Sequence, residues 1–458
     1  MNERSRQLGE DPIVKLLWRF SAPAIVGMIV NAIYNVVDRI FVGQAVGDKA
    51  LAALSFSFPF MTAIMAAAML VGLGGTSLVA ISLGEGNHEK AVRILNNVCV
   101  FSIVLEIIVS LLCYIYMKPL LRMFGTPEGE IMTYAEKYMA IVLAGSIFQG
   151  VGFALNAIIR SEGNPKIAMI TMLAGAITNI VLDWLLTMVI RMGVEGAAIA
   201  TVIGQLVSMV WVVAYFSGRR STIRLSLKHY RPDFSLILRV MMLGISPALV
   251  QLVMASVNII YNNLLMKYGA MTLGAGQGDI AVSAFAVYNS AMTLAVMPIF
   301  GINQGVQPIV GYNYGAQKYD RVRKTMLCGI TAATVIVVIA FAFIQRFPEQ
   351  IVRMFNDRAE LIALGKQALR TNTVLLPLVG AQIICSNYFQ YINKPRAAMV
   401  LSLSRQCLFL IPSLLILSHL FQLDGVFFAQ PTADLLSFAV SVTWVFCSMK
   451  KLGRGDEK

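Results

Sequence analysis

The chain is 458 residues long, 57% hydrophobic and only 13% charged, with a mean hydropathy of +0.72. A soluble domain carries about a quarter charged residues, so this composition describes a polytopic membrane protein and excludes a large extramembrane catalytic domain. The net charge of +13 is not a nucleic-acid footprint, because the basic residues gather in alternate connections between apolar runs.

A spanning helix needs about 20 mostly apolar residues. Taken in order, twelve such segments are expected, at 13–41, 51–83, 92–117, 131–159, 166–190, 194–217, 236–267, 280–313, 325–345, 361–391, 397–419 and 425–449. Met1–Pro12 is polar and no cleavable signal peptide is evident. Basic residues cluster at Arg4/Arg6 with Lys15/Arg19, Lys90/Arg93, Arg160/Lys166, Arg219 to Arg239 (including Lys228), Lys318 to Lys324, Lys394/Arg396 and Lys450 to Lys458. Roughly 24 of the 37 Lys and Arg fall on that side against about 11 on the other, which places both termini in the cytoplasm of a protein of the plasma membrane.

Landmarks recur at an offset of about 224–231 residues. Ser21-Ala22-Pro23 finds Ser246-Pro247, Asn164-Pro165-Lys166 finds Lys394-Pro395-Arg396, and Glu195-Gly196-Ala197 finds Asp424-Gly425-Val426. Six spans per half put both copies in one orientation, so the expected fold is all-α, with two six-helix lobes related by a pseudo-twofold axis along the membrane normal. The boundaries expected are 1–217 for the first lobe, 218–235 for a cytoplasmic linker, 236–450 for the second lobe and 451–458 for a tail. Pro23, Pro59, Pro247, Pro298, Pro308, Pro377, Pro412 and Pro431 fall inside spans and favour kinks.

The chemistry concentrates in the first half. Asn179 and Asp183 are one helical turn apart in the apolar run 176–187, and Asn31, Tyr34, Asn35 and Asp38 form a polar stripe in the first span. An ionisable group inside a span indicates a functional site with a partner to be found. These two faces are expected to meet and hold a cation, with Thr201 as a further oxygen donor for Na⁺ or with the acids serving protons. Under the repeat, Asp38 corresponds to Asn262, Asp183 to Ser413 and Asn179 to Phe409, so the second half keeps the frame without the acids. Arg39 is expected to snorkel away rather than neutralise Asp38. Glu106 and Asp434 are further acids within spans, open to structural or transport roles, while Glu162 and Glu195 read as interfacial. Asn31, Tyr34, Asn35, Asn156, Asn258, Asn289 and Gln304, with many of the 25 Met, are candidates for a soft, hydrogen-bonding substrate cavity.

Six cysteines without a CxxC pair read as small core residues, and His88, His229 and His419 are too scattered for a metal site. No GxxxxGK[ST], HExxH or GxSxG motif occurs, so neither ATP hydrolysis nor hydrolase chemistry is expected, and no cofactor. Gly72–Gly75 reads as close helix packing.

The stretch FSAPAIVGMIVNAIYNVVDRIFVG, with RSEGNP, NIVLD and GVEGAAIATVIGQ, resembles the multidrug and toxic compound extrusion (MATE) family, in its MepA-like multidrug export branch, over essentially the whole chain. The resemblance implies a two-lobed, V-shaped monomeric transporter, not an enzyme, exporting cationic or amphipathic organic compounds across the bilayer in exchange for Na⁺ or H⁺. It implies a cation site at Asp38, Asn179, Asp183 and Thr201, and a first-span hinge at Pro23. Trp184 stands where the family's NIVLD motif often continues with Pro. The alternative is a lipid-linked precursor flippase of similar plan, which would need a cationic cavity; the spans offer Arg405.

Overall fold

The computed structural model describes residues 3–226, 230–274, 277–355 and 358–452. The side chains of Arg4 and Arg6, and Lys228, His229, Arg454 and Lys458, lie outside the described residues.

In the first half, α1 (Glu3–Glu10) precedes α2 (Ile13–Ala45), α3 (Asp48–Gly84), α4 (His88–Ile115), the short α5 (Met117–Met123), α6 (Glu130–Ser161), α7 (Pro165–Asp183) with a π-helical turn at Trp184–Val189, and α8 (Val194–Ser217). The second half has α9 (Phe234–Leu273), α10 (Gly278–Gly315), α11 (Tyr319–Arg346), the short α12 (Pro348–Arg353), α13 (Ala359–Asn372), α14 (Leu376–Tyr391), α15 (Pro395–Leu403) with a π-helical turn at Ser404–Leu410, and α16 (Ile411–Lys451). Local sequence sets these limits. Asn87 and Asp233 cap α4 and α9 by accepting from the amides of Lys90 and Leu236. Pro165 and Pro395 open α7 and α15, where a missing N–H costs nothing.

Among the described residues ten helical runs are long and apolar enough to cross a membrane, and α13–α14, bent by 50° at its break, is another. One of the ten, Pro395–Lys451, is 57 residues long. At 1.5 Å per residue it would extend about 85 Å, nearly three times a hydrocarbon core of about 30 Å, and Gln422 breaks it with φ 52° and ψ −127°. It is therefore two spans, and the twelve expected from the sequence are present. The duplication extends to the short helices, since α5 and α12 occupy equivalent places. It extends also to the turns: left-handed Gly86 and Gly163 are matched by Gln317 and Asn393, both with positive φ.

Three details depart from the sequence reading. The polar start of the chain is helical in α1, whose final carbonyls are held by the second half: Leu8 by Asn313, Gly9 by Lys318, and Leu8 again by Arg321. α2 runs on through Pro23 as one helix. The kink expected at Pro377 is present, as the break in the second half's fourth span, because Pro377 cannot donate to the preceding turn and disfavours helix just before itself. The six cysteines are free, with Cys99 and Cys385 buried but Cys407 and Cys447 on the outer surface rather than in the core.

The halves meet along a seam of glycines. A Cβ on Gly244 of α9 would lie 1.7 Å from the carbonyl oxygen of Leu70 on α3, and one on Gly74 would lie 2.0 Å from that of Val240. Gly84 and Gly315 make the same interlock between α3 and α10, and Gly301 and Gly305 of α10 receive Ile25 and Ser21 of α2. The pairing is reciprocal, α3 on α9 and α10 on α2, as a pseudo-twofold axis requires. Only residues without a side chain permit such an approach. Gly244→Ala is expected to lower the thermal midpoint of the detergent-solubilised protein, by overpacking worth about 1–3 kcal/mol. Gly152→Ala, where the new methyl meets only ordinary contacts near 3.6 Å, is the control and should leave it unchanged.

All of these contacts lie at one end of the molecule, where α3 and α10 finish and α2 and α9 begin. Towards the other end the halves separate around a cavity.

Candidate functional site

The stripe on α2 and the polar face of α7 meet. Asp38 and Asp183 stand within hydrogen-bonding reach of one another. Asp183 is fully buried, at 0% exposure. Thr187, in the π-helical turn that begins at Trp184, donates to Asp183 Oδ1 at 2.9 Å. The widened turn stands where the family's NIVLD motif often has Pro; such turns gather at functional sites. Asn179 and Thr201 on α8 approach to 3.4 Å, Nδ2 to Oγ1. Among the described residues no donor is offered to three buried oxygens of this group, Asp38 Oδ1, Asp183 Oδ2 and Asn179 Oδ1, so the two carboxyls can bond each other only by sharing a proton. Two carboxylates, an amide and hydroxyls, all with oxygen donors, suit a hard monovalent cation or a shared proton. They do not suit a transition metal, and among the described residues no three His, Cys, Asp or Glu side chains cluster as a metal site.

Tyr138 was not legible as part of this group. It is buried on α6, faces Thr201, and lies near Tyr34 and both acids. A tyrosine in an apolar span reads as core, and only its contact with Thr201 reveals it. Arg39 makes no ion pair with Asp38 among the described residues, and is exposed.

Asn179 and Thr201 also face a cavity of about 670 Å³ between the halves, in the range of drug-sized pockets. The two acids sit behind them and are not part of its wall. Asn31, Tyr34, Asn156, Asn258, Asn289 and Gln304 line it, as the sequence suggested. Asn35 does not, because its amide turns back to donate to the Asn31 carbonyl at 2.7 Å. Met28, Met65, Met69, Met172, Met254 and Met292 contribute the apolar part. The lining is exposed at Asn31, Asn258, Asn289 and Thr293 and buried towards the glycine seam, at Gln307 and Gln390. Gln307 closes that deep end by donating to Ser77 at 3.1 Å.

In the second half, Tyr261 stacks on Phe285 at 4.4 Å between ring centroids, and Tyr288 follows at 5.3 Å, forming an aromatic wall. Beside it Arg405 donates through Nε and Nη2 to Asp434 Oδ1, at 3.0 and 2.8 Å, and Gln430 adds further bonds to the same carboxylate. Asp434 is thus a paired acid covered by Arg405 and Gln430, which reach the cavity wall while Asp434 does not.

Three other acids resolve differently. Glu106 is buried against Gly150 of α6, with neither oxygen partnered among the described residues. Glu195 pairs with Lys137 at 2.7 Å near the surface, as an interfacial acid should. Glu162 is not interfacial. At 1% exposure it accepts from Tyr215, Ser221, Thr222 and the Ile223 amide, and so anchors the start of the connection between halves. Arg160 is also misplaced by the sequence reading, which assigned it to a basic connection. It ends α6 with 6% exposure and lines the cavity.

The profile of the MatE family matches residues 23–185 and 247–416, one block in each half. Multidrug export protein MepA of Staphylococcus haemolyticus (strain JCSC1435) is 24% identical over 446 residues, covering 97% of this chain and 95% of its own. Among solved structures, the MATE multidrug transporter DinF-BH in complex with R6G is 38% identical, with a TM-score of 0.89 and 98% of each chain covered. A multidrug resistance MATE family transporter of the MOP superfamily in an outward-facing conformation is 27% identical, with a TM-score of 0.88 and 99% of each chain covered.

Proposed function

This chain belongs to the MatE family, of transporters rather than enzymes, and from that premise we propose that it is a secondary active multidrug exporter working by alternating access. It exchanges cationic or amphipathic organic compounds for inward-moving Na⁺ or H⁺ in the plasma membrane, as a monomer. The observation that carries this reading is the facing pair Asp38–Asp183, with unpartnered buried oxygens, set directly behind the cavity wall at Asn179 and Thr201. A cation there and a compound in the cavity share Asn179 and Thr201, so each alters the other's binding. Coupling requires that each ligand favour a different arrangement of the lobes.

The lobes are 1–217 and 236–450, joined by 218–235 and followed by 451–458. The excess of Lys and Arg at the seam end supports a cytoplasmic position for that end and for both termini. The arrangement described is then open to the outside. Pro23, beside the contact of Ile25 with Gly301, is the hinge at which α2 bends when the lobes exchange access.

The test is efflux of a fluorescent dye from proteoliposomes under imposed Na⁺ and proton gradients, applied separately. One gradient is expected to accelerate efflux several-fold and so identify the coupling ion. Efflux indifferent to both gradients, in folded protein, refutes the exchange mechanism.

A further inference from the structure

The cavity wall carries two formal charges among the described residues, and both are positive: Arg160 and Arg405. No Asp or Glu lines it. Arg405 is neutralised by Asp434 at 2.8 Å. Arg160 has no such partner. Its Nη1 donates to Asn156 Oδ1 at 2.6 Å, Asn156 in turn donates to the Ala168 carbonyl at 2.8 Å, and no carboxylate pairs with the guanidinium among the described residues. A guanidinium offers five donors in a planar fork suited to a carboxylate. Here it is removed from water at 6% exposure, in a span, where an uncompensated charge is costly and marks a functional group by default.

We propose that Arg160 is an anion-binding subsite of the cavity. The compounds handled best at this position are then amphipathic zwitterions or acids, whose carboxylate reaches Arg160 while the aromatic portion lies along the neighbouring wall at Phe153 and Met172, one helical turn from Asn156 and Ala168. The inference rests on the export reading and specifies its substrate class. Phe153 and the thioether of Met172 accept a flat aromatic group without needing an acid. The neutral amides around Arg160 leave its charge available. A purely cationic compound gains nothing at this position and is repelled by it.

The test compares two forms of one xanthene dye, the cationic ethyl ester and its free carboxylic acid, which is a zwitterion at neutral pH. Binding to the purified full-length protein is followed by fluorescence anisotropy. The acid is expected to bind about tenfold tighter than the ester, as a charge-assisted bidentate contact allows. Arg160→Gln should bring the ratio of the two affinities to about one, and Arg160→Lys, which keeps the charge but not the fork, should hold it between these values. An advantage for the acid of threefold or less in the wild type overturns the proposal, as does a ratio unaltered in Arg160→Gln. The wild-type comparison decides even if that variant fails to fold. Binding of the ester alone removes the anion subsite and leaves the export reading intact, whereas binding of neither dye removes both.

Discussion

Asp183→Asn is expected to reduce gradient-driven efflux to the level of empty liposomes, at least a tenfold loss, while the protein still elutes as a folded species. Asparagine keeps the shape and an oxygen for Thr187, which now donates at 2.9 Å. What it loses is the charge that attracts a cation and the acidity that carries a proton. Asp38→Asn should give the same loss, because the two carboxyls act as a pair, and the double variant should be no worse than either single one. Dye binding should persist in each, since neither acid lines the cavity. A single-acid variant that retains gradient-driven efflux would refute coupling at this site. Thr187→Val, which removes one hydrogen bond and no charge, should cost only a few-fold.

Glu162→Ala is expected to damage stability rather than coupling. Its Oε1 accepts from the Ser221 hydroxyl at 2.7 Å, the Ile223 amide at 3.0 Å and from Thr222, while Oε2 accepts from the Tyr215 hydroxyl at 2.8 Å. Truncation leaves backbone donors at 222 and 223 without an acceptor, at roughly 1–3 kcal/mol for each buried group. The loss should therefore be about 3 kcal/mol or more, with release of the connection that follows α8. Thermal unfolding in detergent measures the first, and protease sensitivity between residues 217 and 233 the second. Glu162→Gln retains an accepting oxygen and should lose less. A wild-type midpoint in Glu162→Ala would show that the anchor contributes nothing.

The fold was legible because bilayer thickness imposes a length on every span, and a duplicated chain states that length twice. Asp38, Asn179, Asp183 and Thr201 were legible for a related reason. Acids and amides at helical spacing are costly to hold in apolar runs, so they mark a site and must find their partners in one another. Tyr138 was hidden because an aromatic residue suits a membrane core equally well. Arg160 was hidden by its neighbours: next to Glu162, Asn164 and Lys166 it reads as a topology signal, and only the path of α6 shows that it points inward. Glu162 was misread from the same motif, since the donors to its carboxylate lie about 60 residues away, beyond any local pattern. The break before Pro377 was available in principle, yet Pro59 and Pro431 lie within continuous helices, so proline alone does not locate a break.

The glycine seam bears on how costly it is for the lobes to part. Its closest approaches, Gly74 and Gly244 between α3 and α9, and Gly84 and Gly315 between α3 and α10, bring methylene groups against carbonyl oxygens already engaged within their own helices. Parting the glycines themselves strands no donor and uncovers no charge; along the α3–α10 contact the polar ties are those of Gln307 to Ser77 and to the Leu73 carbonyl, and beside it stand the bonds of Asn313, Lys318 and Arg321 to α1. The glycine contacts behave as a dry zipper, whose resistance scales with the area in contact and varies little with salt. Gating should accordingly respond to bilayer thickness and lateral pressure more than to ionic strength, and a protein reconstituted in short-chain lipids should cycle at a different rate from one in long-chain lipids at the same ion gradient.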